Sequence, residues 1–365
     1  MSAHSFLPPS GAAAWSRCSL WPTMNRLYPS LDTPESIEGT AAHWVVTEML
    51  SNRKVSEGSK TPAGVIVTEE MIEGAELAYE AVTDRLHSGI ATLHLEERVS
   101  IPSIHIDCFG TPDVWVFDAP KMHLDIFDYK FGHGFVDEYF NPQGLLYLLG
   151  ILHIIEPTIP GDVENITVAF TIVQPRCYYG GSPVRTHNFR VRDILPHVTR
   201  LKAAALAAYD PQPTATTNEE CNYCPGRHAC TALQQAAYSA AEFSNNRIPL
   251  ELRMLERAQE QLNARVDGLR EQTMANLTAG KVVPHHTLTN GRGKRVWTKT
   301  SEEIFALGDI FGKELRKITP MTPTQAEKYI DAGVIILYSE QIPGARKLAP
   351  QNNDTARRVF GASGE

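Results

Sequence analysis

Asp113, Asp128 and Lys130 are the residues whose types and spacing could do chemistry. Asp113 closes the run Gly110-Thr111-Pro112-Asp113, and Asp128 and Lys130 stand two apart in Asp125-Ile126-Phe127-Asp128-Tyr129-Lys130. Carboxylate oxygens suit a hard cation such as Mg²⁺ or Mn²⁺, which keeps several waters and can take a substrate phosphate. A neighbouring Lys can orient or deprotonate an attacking water and offset developing charge. These are the parts that phosphodiester hydrolysis needs. Asp-x-Lys alone is also a common surface pair at a strand end, so the reading depends on what positions it.

Val114-Trp115-Val116-Phe117 and Leu124-Asp125-Ile126-Phe127 are rich in β-branched and aromatic residues, and Asp118-Ala119-Pro120-Lys121 between them has turn chemistry. The expectation is a hairpin that brings Asp113 to the end of the second strand, where Asp128 and Lys130 share one face. A helix from about Pro142 to Ile155 puts Gln143 and Tyr147 four residues apart on one side. A cap within Asp32 to Ser36 precedes a helix Ile37 to Leu50 bearing His43, whose imidazole suits Mn²⁺ better than Mg²⁺. A further helix is expected over Thr68 to Ser88. Strands are expected over Leu93 to Val99, Ser103 to Phe109, Asn165 to Gln174 and Val184 to Val191. The fold class is α/β.

In order, the chain offers Glu38-Gly39-Thr40-Ala41-Ala42-His43, an acidic strand at Glu97, Gly-Thr-Pro-Asp, Asp-Tyr-Lys and Gln-x-x-x-Tyr. This set resembles the nuclease domain of the RecB family within the PD-(D/E)XK superfamily, phage-associated members included. The resemblance implies a restriction-endonuclease-like mixed sheet flanked by helices. It also implies a metal-dependent DNA nuclease, an exonuclease sooner than an endonuclease, working in phage recombination or DNA processing. Carried across, His43, Asp113, Asp128 and the Tyr129 carbonyl hold the metal, Lys130 assists the water, and Gln143 and Tyr147 line the DNA side. The implied partners are DNA and a helicase, single-strand-binding or recombination protein. The rival is a non-catalytic iron-sulfur DNA-binding module of a recombination complex.

Cys221, Cys224 and Cys230 form a second constellation, two separated by two residues and the third six further on. In a reducing compartment such spacing supplies three thiolates to one metal centre. Cys18, Cys108, Cys177 and His228 are candidates for the fourth ligand, and Cys108 and Cys177 also read as buried small hydrophobes. The spacing resembles that of RecB-family nucleases with a 4Fe-4S cluster, of the AddB type, in which one cysteine precedes the nuclease motifs and three follow. Cys18 matches the upstream position, so the resemblance implies a staple joining Cys18 to Cys221, Cys224 and Cys230. A structural Zn²⁺ has the same ligands, and spacing leaves that alternative open.

A chain of 365 residues, 42% hydrophobic and 21% charged, can bury a large core. A net charge of -8 argues against a protein that coats nucleic acid generally. Met1 to Pro22 makes a poor signal peptide, and the apolar run Gly144 to Ile155 is too short to span a bilayer. The expected location is therefore cytoplasmic, in the host if phage-encoded, with no membrane partner. Three regions are expected: 1–240 as the nuclease domain with its cluster, 248–280 as a long amphipathic helix, and 281–365 as an accessory region. The helix carries a stripe of Leu252, Leu255, Leu262, Val266, Leu269 and Leu277 that reads as a packing or pairing face. Arg176, and Arg292, Lys294 and Arg295 beside Trp297, are candidate nucleic-acid contacts.

Overall fold

The computed structural model describes residues 5–29, 32–86, 91–159, 162–177, 182–241, 248–288 and 310. The chain divides into two compact units, Met1–Gly293 and Lys294–Glu365. Of the second, Ile310 alone is among the described residues.

The first unit runs α1 (Ala12–Trp15), α2 (Trp21–Leu27), α3 (Pro34–Leu50), α4 (Glu69–Thr83), β1 (Thr92–Leu95), β2 (Val99–Ser100), β3 (Phe109–Gly110), β4 (Val114–Asp118) and β5 (His123–Tyr129). It continues with α5 (Pro142–Ile155), β6 (Thr167–Val173), β7 (Val184–Arg190), α6 (Leu195–Ala208), α7 (Thr231–Ala241) and α8 (Ile248–Thr278). One five-stranded sheet has the order β1-β4-β5-β6-β7, with β5 and β6 parallel and the other pairs antiparallel. The parallel pair needs a crossover, and α5 supplies it. Among the described residues no helix is long and apolar enough to cross a membrane.

Strand alternation sorts the core into two layers. Trp115, Phe117, Leu124, Ile126, Phe170 and Ile172 pack with Trp15 and with α5 and α6. Val114, Val116, Phe127 and Tyr129 face the other way, onto Ala42, Val45 and Val46 of α3 and Met71, Ala75 and Ala78 of α4. The mixed α/β sheet with helices on both faces is thus the expected architecture. Asp128 has the parity of Leu124 and Ile126, so it points toward α5 and is 1% exposed.

The capped helices form as their sequences dictate. Thr33 caps α3, its side chain accepting from the Ser36 amide, and Asn141 caps α5 by accepting from Gln143 and Gly144. Pro at the first position of each costs no hydrogen bond there.

Two strand expectations fail. Leu93 to Val99 does not run through, because Glu96 adopts φ +49 and ends β1 at Leu95. Ser103 to Cys108 is a tight loop, with Phe109 opening the short β3: the Ile101 amide bonds the Cys108 carbonyl at 2.8 Å and the Ile104 amide bonds the Ile101 carbonyl at 3.0 Å. Local turn bonding, with Pro102 unable to donate, outweighs the apolar alternation.

The stripe on α8 is not the face that packs within this chain. Leu252, Leu255, Leu262, Val266 and Leu269 are exposed, whereas Ala258, Gln261, Ala264 and Gly268 are buried. Small residues let α8 approach closely, and a Cβ on Gly268 would stand 2.5 Å from Arg227 Cγ. Arg227 pairs with Glu271, and Arg265 donates to the His228 carbonyl at 3.3 Å. Helix α8 therefore braces the cysteine segment and belongs to the compact unit that contains the sheet.

Candidate metal centre

The hairpin of β4 and β5 pairs Val114 with Phe127, which sets Asp113 beside Asp128 at the end of the ladder. Helix α5 then covers Asp128. Its first turn sits tight on the sheet because Gly144 has no side chain, and a Cβ there would meet the Phe170 ring at 2.5 Å.

One hydrogen-bonded chain joins the expected residues. Lys130 Nζ lies 2.9 Å from Asp128 Oδ2 and donates to Gln143 Oε1 at 3.3 Å. Gln143 Nε2 donates to Asp128 Oδ1 at 3.1 Å and to the Tyr147 hydroxyl at 3.0 Å. Beside this chain, Asp113 Oδ2 accepts the Tyr129 amide at 2.7 Å and Asp113 Oδ1 lies 3.3 Å from His43 Nδ1. All six expected side chains, His43, Asp113, Asp128, Lys130, Gln143 and Tyr147, thus meet at one end of the sheet.

The ligand-bearing subset differs from the expected one. His43, Glu96 and Asp113 each present a ligand atom, all within 4.8 Å of one another. Asp128 Oδ1 instead accepts from Gln143, and its buried Oδ2 faces the Lys130 ammonium without a hydrogen bond. Glu97, the expected acidic neighbour, lies 2.6 Å from His94 Nδ1. The residue that sequence reasoning missed is Glu96. The ladder puts it there: β1 pairs Leu95 with Val114, and the Glu96 amide donates to the Asp113 carbonyl at 3.0 Å. No sequence signal distinguishes adjacent glutamates when the first of them is the left-handed residue that ends the strand.

Electrostatics divide the acids. Burial opposes charge on Asp113, but His43, Lys130 and the Tyr129 amide outweigh it and hold its pKa below the usual carboxylate value. Burial dominates at Asp128, with Asp113 adding to it and Lys130 opposing, and its pKa rises. Burial also disfavours charge on His43 and Lys130, yet the carboxylates prevail and raise both. Glu96 is pushed up to about 7 by burial of its carboxyl and by the charge of Asp113. His43, Glu96 and Asp113 line an open cleft of about 630 Å³ together with Ser36, Thr40 and Thr47. Oxygen ligands with one imidazole, open to solvent on one side, fit a hydrated divalent ion.

The loop after Lys130 is fixed from below. Fully buried Gln174 donates to the Gly132 carbonyl at 3.0 Å, and Arg185 donates to the Val136 carbonyl and to Gln174 Oε1, each at 2.9 Å. Arg176, an expected nucleic-acid contact, spends its guanidinium on Glu38 and Glu70 at 2.7 to 2.9 Å and lies over Phe131. Its place is structural, tying α3 to α4. Arg292, Lys294 and Arg295 lie outside the described residues.

The cysteines gather separately. Cys18, Cys221, Cys224 and Cys230 line one recess with Ala14, Leu20, Trp21, Met24 and Leu233. Of the candidate fourth ligands, Cys108 and Cys177 are buried elsewhere, and the His228 ring packs on Tyr28 at 4.5 Å. Burial, and the other three thiols, push the Cys224 thiol up to about 11. The Cys221 thiol is raised as well, by burial first, and thiols held protonated in this way lose their protons readily only to a cation they bind.

The family model described as "Protein of unknown function (DUF2800)" matches residues 4–354. That span takes in the candidate ligand trio, the Asp128–Lys130–Gln143 chain and all four clustered cysteines, and the protein is a member of the DUF2800 family.

Proposed function

We propose that the protein is a metal-dependent nuclease of the RecB-like, PD-(D/E)XK kind, hydrolysing phosphodiester bonds in DNA, with exonuclease action in phage recombination or DNA processing as its setting. The observation that carries the reading is the junction of two networks at one sheet end. A candidate ligand trio, His43, Glu96 and Asp113, adjoins the Asp128–Lys130–Gln143–Tyr147 chain, of which Asp128 and Tyr147 are buried.

A bound Mg²⁺ or Mn²⁺ supplies charge neutralisation and polarisation of the scissile phosphate. His43, Glu96 and Asp113 would hold it, with Asp128 and the Tyr129 carbonyl close by, and the imidazole favours Mn²⁺. Lys130, kept protonated by Asp128 and Asp113, presents its ammonium to the water and to charge developing on the phosphate. Gln143 fixes the Lys130 and Asp128 rotamers simultaneously, and Tyr147 completes the wall.

The four cysteines that line one recess would hold a 4Fe-4S staple, the group that the RecB-like reading favours, and a structural Zn²⁺ would take the same four ligands.

The test uses end-labelled linear and closed-circular DNA, single- and double-stranded, with Mg²⁺, Mn²⁺ or chelator, beside Lys130→Ala and Asp113→Ala. Metal-dependent loss of linear DNA, absent in both variants, is expected. Binding without cleavage in any lane would instead favour the non-catalytic DNA-binding module.

A further inference from the structure

The metal centre and the cysteine recess leave one built cavity unexplained. It lies between the loop before α5, the residue that precedes Cys18, and the outer side of α6. The cavity encloses about 410 Å³, the size that takes one nucleotide-sized ligand. Tyr139, Phe140, Asn141, His197, Arg17 and Arg200 line it.

Three aromatic rings are already ordered there. Phe140 and His197 stack with centroids 4.3 Å apart and planes 22° from parallel, and Tyr139 meets Phe140 edge-on at 4.9 Å. Arg200 Nη2 donates to His197 Nδ1 at 2.7 Å, which requires a neutral imidazole and directs the guanidinium beside the stack. Burial and the Arg200 charge also lower the His197 pKa. Arg17 is half-exposed and paired with Glu219 at 3.1 Å. Such pairs in water are worth little, so a phosphate can displace the carboxylate. The one acid in the lining, Asp137, turns an oxygen to the Tyr139 amide at 3.0 Å within its own loop.

Aromatic faces with guanidinium groups bind unpaired bases and the phosphates between them. A paired base is stacked on both sides and cannot enter such a cavity. Asn141 lines the cavity and also caps α5 by accepting from the Gln143 amide at 3.0 Å, so the cavity and the candidate metal centre both border the first turn of α5. We infer that this cavity is a subsite for one unpaired nucleotide of single-stranded DNA, neighbouring the candidate metal centre. The inference rests on the nuclease reading for the identity of the strand.

The test measures anisotropy of a short labelled oligothymidine, and of a duplex of equal length, on the full chain carrying Lys130→Ala with Mn²⁺ present. Arg200→Glu and Tyr139→Leu are added in turn, with Lys202→Glu as an equal charge change on an exposed α6 residue outside the cavity. The parent should bind the single strand more tightly than the duplex. Arg200→Glu and Tyr139→Leu should each weaken single-strand binding about tenfold or more. Lys202→Glu should change it less than about twofold. Equal binding by parent and cavity variants overturns the subsite, as does an equal loss in Lys202→Glu or failure of the parent to bind. Arg200 is exposed, so its variant keeps the fold even if Tyr139→Leu does not. Cleavage by the chain with Lys130 intact reads the nuclease proposal separately. Cavity-dependent binding without cleavage sinks that proposal alone, and cleavage with cavity-independent binding sinks the subsite alone.

Discussion

The amide of Glu96 donates to the carbonyl of Asp113 at 3.0 Å, one rung beyond the Leu95–Val114 pair, and this sets their carboxylates together beside His43. Glu97, one residue on, is turned to His94. The two glutamates therefore give opposite results when neutralised. Glu96→Gln should weaken Mn²⁺ binding, read by calorimetry, by about tenfold or more, and Glu97→Gln should leave it unchanged. Equal losses from both would remove Glu96 from the ligand set.

The same carboxyl sets a pH dependence. Glu96 titrates at about 7 in the folded chain against 4.5 ordinarily. Between those values the metal-free fold holds a proton that the unfolded chain lacks, so its stability falls as pH rises through the window. His43, raised above 6.5, acts in the same direction: its contribution is full below 6.5 and is lost as pH rises through the folded value. A bound cation competes with both protons. The Tm increase given by Mn²⁺ should thus be small at about pH 5.5 and large at about pH 8, and Glu96→Gln should flatten that rise. A Tm increase independent of pH in the parent chain would contradict the assignment.

Gln143 holds Lys130, Asp128 and Tyr147 at once. Gln143→Ala frees both charged rotamers while leaving the ligand trio untouched. Cleavage should slow by about 100-fold with Mn²⁺ affinity retained. Tyr147→Phe removes the hydroxyl that accepts from Gln143 and should cost less.

Cys18 lies in the recess with Cys221, Cys224 and Cys230 across most of the chain's length. Purified without oxygen, the protein should show visible iron-sulfur absorbance that Cys18→Ser loses, with a lower Tm. Stoichiometric zinc and no visible band in the parent would replace the cluster by the zinc alternative.

Gly268 permits α8 to reach the backbone of His228, where a Cβ would stand 3.0 Å from the amide nitrogen. Gly268→Val should destabilise the protein by roughly 1–3 kcal/mol through overpacking, read by chemical denaturation, and should lower metal content at the cysteines. Leu262→Ala, on the exposed face, should do neither.

What the sequence determined by itself was local and periodic. The hairpin, the caps at Thr33 and Asn141, the four-residue spacing of Gln143 and Tyr147, and the shared face of Asp128 and Lys130 all follow from strand and helix periods and from turn chemistry, which neighbouring residues dictate. Choices between near-equivalent residues were decided only by tertiary structure. Glu96 rather than Glu97 reaches the metal group because a left-handed backbone residue ends β1 at a register set by β4. Asp128 is tied up by Lys130 and Gln143 because α5 packs onto its face of the sheet. On α8 the small residues, not the leucines, turn inward, because close approach to Arg227 and His228 outweighed the larger apolar area of the stripe. Arg176 was withdrawn from any phosphate path by Glu38 and Glu70, which lie far from it in sequence. Pattern fixes which residues can share a face, whereas packing between distant elements fixes which of them meet.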